Sequence, residues 1–128
     1  MTIGGDWYNE VGSHMTITAD PTGGIRGGYV SAKGHAMGTY PLVGRYDTAA
    51  LADHGTTVGW TVAWHNAGTD AGSVTSWSGQ YYGDGDGGGG ERICVTWLLT
   101  ASANAANTWE ATAVGQDVFT RTAPARTG

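Results

Sequence analysis

The stretch TTVGWTVAWHN, residues 56–66, sets Val58, Trp60, Val62 and Trp64 at alternate positions, with Thr57, Gly59, Thr61 and Ala63 between them. An extended chain turns successive side chains to opposite faces, so this run has one bulky apolar face and one small or polar face. The period of two predicts a half-buried strand. Working outward, similar extended runs fall at roughly 7–13, 14–19, 25–31, 39–46, 73–82, 91–101 and 109–121. Between them lie DPTGG, AKGHAMG, AGTDAG, GDGDGGGG and ASANAAN, which are rich in turn-forming residues. About eight strands result, and no segment carries a sustained apolar pattern at helical spacing. The short connections suit antiparallel neighbours. The expected fold class is all-β. Eight strands joined by hairpins can close into an antiparallel up-and-down β-barrel, which leaves no exposed edge, or fold into a sandwich.

The stretch GDWYNEVGS, residues 5–13, favours the barrel. Its alternation puts Trp7, Asn9, Val11 and Ser13 on one face, a mixture that suits neither a dry core nor a solvent face. The mouth of a small barrel is a place where aromatic and polar side chains meet a ligand. Composition agrees: six Trp and six Tyr against one Phe favour large side chains with a polar handle. With 23 Gly but only three Pro, the chain reads as strands separated by turns and not as a disordered linker.

At 128 residues the chain is read as a single domain spanning 1–128. Six Lys+Arg against eleven Asp+Glu give a formal charge of −5 without a basic cluster, which argues against a nucleic-acid partner. No apolar run approaches the ~20 residues of a membrane-spanning helix, and no charged-then-apolar leader opens the sequence, so a secretion signal is expected to have been removed. The single Cys94 can form neither an intramolecular bridge nor a multi-cysteine metal site. The Gly-rich GDGDGGGGE, residues 83–91, has Asp84, Asp86 and Glu91 as oxygen donors but lacks a calcium-loop register, and is read as a hairpin tip. GSHM, residues 12–15, falls within a strand pattern and is read as native sequence.

Parity places further groups inward: Tyr29 and Ser31; Ser73, Thr75 and Trp77; Trp97 and Leu99; Asp117 and Phe119. Buried polar groups without partners cost on the order of 1–3 kcal/mol each, so this set needs either one another or a guest. Asn9, Ser13 and Tyr29 can all donate to one oxygen, and an ionised Asp117 only accepts. Donors beside an acceptor complement a urea or an amide, and Trp64, Trp77 and Trp97 supply flat apolar walls. The expected guest is small, neutral-headed and largely apolar.

Catalysis finds no comparable constellation. Asp117 is the one acid placed inward, with Glu10, Glu91 and Glu110 on outward parity or at strand ends, so the facing carboxylates of a glycosidase are missing. The four histidines, His14, His35, His54 and His65, are scattered over loops and outward positions, and no GxSxG elbow occurs. No pair of them has metal-ligand spacing on one face. The reading is of a binding protein and not an enzyme.

WYNEVGS (7–13), GGYVSAKG (27–34), GRYD (44–47), GWTVAWHN (59–66), TSWSGQY (75–81), TWLLT (96–100) and NTWEATAVGQDVFT (107–120) together resemble the avidin and streptavidin family, its streptavidin side most. The match runs in order from Gly5 to about Pro124. It implies a secreted, non-enzymatic barrel that binds biotin with high affinity at its open end, usually as a homotetramer built as a dimer of dimers. Vitamin sequestration is the implied use, with biotin a ligand and not a cofactor, and neither nucleic acid nor membrane as partner. Carried over, Asn9, Ser13 and Tyr29 would hold the ureido oxygen, and Ser31 and Asp117 the ureido N–H groups. Thr75 would meet the thioether sulfur and Ser73 the carboxylate, while Trp64, Trp77, Trp97 and Leu99 form walls and Ala71 lies near the tail. Gly34 and His35 belong to the implied lid SAKGHAMG, with the His35 backbone N–H on the carboxylate. Trp109 would reach into the site of a neighbouring subunit.

The sequence departs from the family pattern at Lys33, where an apolar residue is usual, at His35, where Asn is usual, and at Gln116, which replaces a His at one subunit contact. Cys94 falls on an outward strand position where such a contact would meet it. Two rival readings follow from the residues. A lipocalin-like carrier of another small apolar ligand leaves the Asn9, Ser13, Tyr29 and Asp117 set without a purpose. A carbohydrate-binding module would display its Trp faces outside a barrel.

Overall fold

A computed structural model describes residues 3–32, 38–65, 72–85 and 90–124. Eight strands follow one another in the chain: β1 (Gly5–Tyr8), β2 (His14–Ala19), β3 (Gly24–Val30), β4 (Tyr40–Tyr46), β5 (Thr56–Trp64), β6 (Ser73–Tyr82), β7 (Arg92–Ala101) and β8 (Thr112–Thr120). Each pairs antiparallel with the next, and β8 returns to β1, so the sheet is a closed barrel in sequence order. Closure removes the sheet edges, which is the all-β up-and-down barrel expected and not the sandwich.

The decisive stretch behaves as its alternation requires. Along β5, Thr56, Val58, Trp60 and Val62 are buried and Thr57 and Ala63 exposed. The same alternation sends Met15 and Ile17 of β2, and Ile93 and Val95 of β7, into the interior.

Two expected strands differ. The run 7–13 is not one strand: β1 stops at Tyr8 and the chain turns through Glu10 and Val11. Val11, expected inward, is therefore 45% exposed, while Trp7, Asn9 and Ser13 are buried as expected. The Asn9 side chain causes the break, because its Oδ1 accepts from the backbone N–H of Val11 at 3.1 Å and of Ser13 at 2.9 Å. An Asn closing a turn onto its own downstream backbone is an Asx turn. Gly12 completes it with φ +93°, a conformation that favours glycine. The run 109–121 likewise starts late. Ala105–Glu110 forms a short 3-10 helix, capped by the Asn104 side chain accepting from Asn107 N–H, and Trp109 sits on that helix.

One end of the barrel is plugged. The Arg121 guanidinium lies 3.7 Å from the centre of the Trp7 ring. Its Nε meets Glu91 Oε1 at 3.0 Å, and its Nη1 donates to the Gly4 carbonyl at 2.9 Å. Tyr81 donates its hydroxyl to Glu91 Oε2 at 2.7 Å, and Trp7 Nε1 donates to the Ile3 carbonyl at 2.7 Å. Glu91, placed by sequence merely at a strand end, thus neutralises a partly buried cation. The Arg121 hydrogen bond is the main cause that holds its carboxyl below the usual range. The opposite end carries the polar inward residues.

Candidate ligand site

The site is built from the mouth inward by β1, β3, β5, β6, β7 and β8. Because Asn9 Oδ1 is committed to the turn, its amide nitrogen is aimed across the mouth, 3.5 Å from Asp117 Oδ2. Asn9 and Ser13 are 4% and 3% exposed, so the turn buries both polar groups together. Ser13 Oγ accepts the Ala32 backbone N–H at 2.9 Å, which ties the first hairpin to the end of β3.

Tyr29 reaches Ser13 from β3 by a hydroxyl–hydroxyl hydrogen bond. Its ring packs against Trp77 at 4.9 Å and edge-on to Trp64 at 5.6 Å. Burial, chiefly, raises the phenol well above its ordinary value, with the Asp117 and Glu10 charges adding to it. The group therefore remains an O–H donor across the working pH range.

Asp117 on β8 is half-buried and receives Trp77 Nε1 at 3.4 Å as well as Asn9. The Trp97 indole also bonds to it. Desolvation leads in raising its carboxyl above the usual range, the Glu10 charge adds to this, and the three N–H donors oppose it. Asn9, Ser13, Tyr29 and Asp117 thus come together as a group of donors beside one acceptor, which is the complement of a ureido or amide head.

The walls are aromatic and follow from register. Trp60 pairs with Trp77, Trp77 with Trp97, and Trp97 with Gly115, so that one row of rings crosses β5, β6 and β7 and ends at a glycine. A Cβ at Gly115 would stand 2.1 Å from Trp97 Cζ2, and its absence is what seats that indole. Trp64 donates its indole N–H to Thr75 Oγ1 at 2.8 Å, which leaves the Thr75 hydroxyl hydrogen for another acceptor. Tyr40 packs edge-on to Trp64 at 5.0 Å and bonds the His65 carbonyl at 2.7 Å, bracing the wall from outside. Ser31, Ser73, Trp97 and Leu99 are half-buried toward the rim.

Trp109 is separate from this group and 82% exposed. Gly34, His35 and Ala71, with Lys33 of the lid reading and Asp86 of the Gly-rich stretch, lie outside the described residues. Cys94 is half-buried on the outer face of β7, opposite Gln80 and Val118. Among the described residues no group of three or more His, Cys, Asp or Glu is placed to hold a metal ion.

Three contributors escaped the sequence reading. Glu10, expected outward, is exposed, but its Oε2 also accepts the Val118 N–H at 3.2 Å, a contact that parity does not reveal. Tyr40 and Gly115 act only through cross-strand neighbours. A Gly within the apolar-polar alternation of β8 was the one available signal, since an isolated strand glycine marks a close approach.

The family model described as Avidin family matches residues 1–122. Avidin of Gallus gallus is 34% identical over 125 residues, covering 94% of this chain and 78% of its own length. Avidin-related protein 4/5 of Gallus gallus is 34% identical over 125 residues, covering 94% of this chain and 77% of its own. Afifavidin of Afifella pfennigii is 40% identical over 80 residues, covering 60% of this chain and 46% of its own. With a family model spanning nearly the whole chain and a barrel in the order that the motifs required, this protein belongs to the avidin family.

Proposed function

We propose that the barrel binds biotin, without catalysis, in the open end described above. The observation that carries this reading is the buried group of Asn9, Ser13 and Tyr29 beside Asp117. Asn9, Ser13 and Tyr29 take the ureido oxygen, and Asp117 and Ser31 take the ureido N–H groups. Thr75, whose hydroxyl hydrogen is left over by Trp64, meets the thioether sulfur, and Trp64, Trp77, Trp97 and Leu99 enclose the apolar body. Ser73 lies toward the carboxylate. The family resemblance assigns Gly34, His35 and Ala71, which lie outside the described residues, to the side of the tail. Biotin is a ligand and not a cofactor. A rigid barrel holds these groups before the ligand arrives, which reduces the ordering cost of binding.

The reading extends to a homotetramer of a secreted protein that withholds the vitamin. Leu98, Val114 and Val118 are 51%, 68% and 44% exposed on the outer faces of β7 and β8, and Val74 is 40% exposed on the neighbouring β6. Leu98 and Val114 are cross-strand partners, with Thr96 and Gln116 between them and Val118 on the same outer face, and these exposed apolar side chains suit burial against a second copy. Among the described residues no helix is long and apolar enough to cross a membrane.

The test is a calorimetric titration with biotin on protein freed of ligand by unfolding and refolding, in parallel with Asp117→Ala. One biotin per chain with a large favourable enthalpy is expected. The variant should bind roughly ten- to a hundredfold more weakly, as loss of a hydrogen bond to a charged group implies. No heat from folded wild-type protein, or equal affinity in the variant, contradicts the assignment.

A further inference from the structure

The barrel closes through its shortest seam. β7 and β8 share nine register pairs, whereas β1 and β8 share one, Tyr8 with Thr120. Toward the mouth β1 has already bent into its turn, so no backbone rung is available there. Two consecutive side chains of the turn reach across instead. Asn9 donates to the Asp117 carboxylate at 3.5 Å, and Glu10 Oε2 accepts the backbone N–H of Val118 at 3.2 Å. Consecutive residues of the turn therefore grip consecutive residues of β8, one within the site and one behind it.

We propose that Glu10 is a positioning residue for Asp117, clasping the β8 backbone beside the site's acceptor and, as a second carboxylate, making ligand capture sensitive to acid. The inference rests on the reading of Asp117 as acceptor for a ureido N–H. The clasp acts on the main chain: β7 holds β8 along one side, with Val95 opposite Asp117, and on the β1 side, where there is one ladder pair, Glu10 supplies the hold next to Asp117. Its charge acts through space. The titratable groups facing Asp117 are Glu10 from the turn and Tyr29 from β3, while β6 and β7 present the indole N–H groups of Trp77 and Trp97. Burial and the Glu10 charge raise the Asp117 carboxyl above the usual range, so it takes up a proton earlier than an ordinary carboxylate as pH falls. A protonated carboxyl presents an O–H toward the ligand's N–H, and proton and ligand then compete for the same oxygen. Removing the Glu10 charge lowers the Asp117 pKa and moves this competition to lower pH.

Two variants separate the clasp from the charge. Glu10→Gln keeps an oxygen for the Val118 N–H and removes the charge, whereas Glu10→Ala removes both. Biotin dissociation at neutral pH should quicken about three- to tenfold in E10A and recover in E10Q, as expected for one hydrogen bond. The acid limb of biotin affinity should move to lower pH in both variants. In ligand-free protein, the Asp117 carboxyl followed by carbon-13 NMR should titrate at lower pH in E10Q than in wild type. Val118 amide exchange should rise in E10A and not in E10Q. An Asp117 titration unchanged in E10Q overturns the proposal whatever the rates do, and so does E10A dissociation equal to that of wild type. Failure of the wild type to bind biotin overturns the assigned ligand, while the NMR titration and amide exchange, which need no ligand, still decide the role of Glu10.

Discussion

Gly115 shows how much a single position can set. Its hydrogen stands where the Trp97 ring edge must pass, so adding one methyl forces the indole off the wall that it forms with Trp77. Overpacking of this kind costs about 1–3 kcal/mol, because the ring and the strand cannot both keep their places. Gly115→Ala is expected to lower the thermal midpoint and to weaken biotin binding together, measured by calorimetry on the same sample. An unmoved Trp97, with both quantities unchanged, would contradict this account. At this scale the sequence was informative where side-chain parity is enough. Asn9, Ser13, Tyr29 and Asp117 were found because an inward polar group is conspicuous among apolar neighbours. Gly115 was not, since its role exists only relative to Trp97, a residue on another strand.

The hairpin turns decide how far each strand runs. At the β2–β3 turn, Asp20 accepts from Thr22 N–H at 2.8 Å, from Thr22 Oγ1 at 2.6 Å and from Gly24 N–H at 3.0 Å. These bonds, the Thr22 hydroxyl foremost, lower its pKa to about 2. A depressed carboxylate contributes stability that is present above its unfolded pKa and lost as pH falls through the folded one. The stability difference between wild type and Asp20→Ala should therefore be constant above about pH 4 and vanish toward about pH 2. Thermal midpoints recorded across that range check it, and a difference that persists below about pH 2 counts against it. Strand existence was legible from alternation, but strand ends were not. In residues 5–13 the alternation of Trp7, Asn9, Val11 and Ser13 ran straight through an Asx turn, whose signals, Asn9 and Gly12, were present and outweighed. The short helix at Ala105–Glu110 was hidden because its Trp109 fits a strand pattern equally well. Glu10 was unreadable for a different reason: its partner Val118 is 108 residues away.

At the level of the molecule the two ends of the barrel do different work. The plug of Arg121, Glu91 and Trp7 gives the closed end its rigidity, and Arg121→Ala leaves Glu91 partly buried without its cation. Breaking such a pair from one side costs about 2–4 kcal/mol, which predicts a clear fall in the thermal midpoint with little change in biotin stoichiometry. Trp109 belongs to the other end. At 82% exposure it presents a large apolar surface that the described residues leave uncovered. In the proposed tetramer Trp109→Ala should speed biotin dissociation while each barrel keeps its circular dichroism and thermal midpoint. Dissociation unchanged in that variant would separate the site from the assembly.

The sequential strand order has one more consequence. Because β1 neighbours β8 and Arg121 bonds the Gly4 carbonyl, the first and last strands of the chain begin and end side by side at the plugged end. The order of the strands is therefore cyclic: no strand is first except by where translation starts. A linker from the end of β8 to the start of β1, with a new opening between β6 and β7 at the same end, would give a permuted chain that keeps every neighbour of the original. Its mouth would be untouched, and both new termini would face away from the ligand.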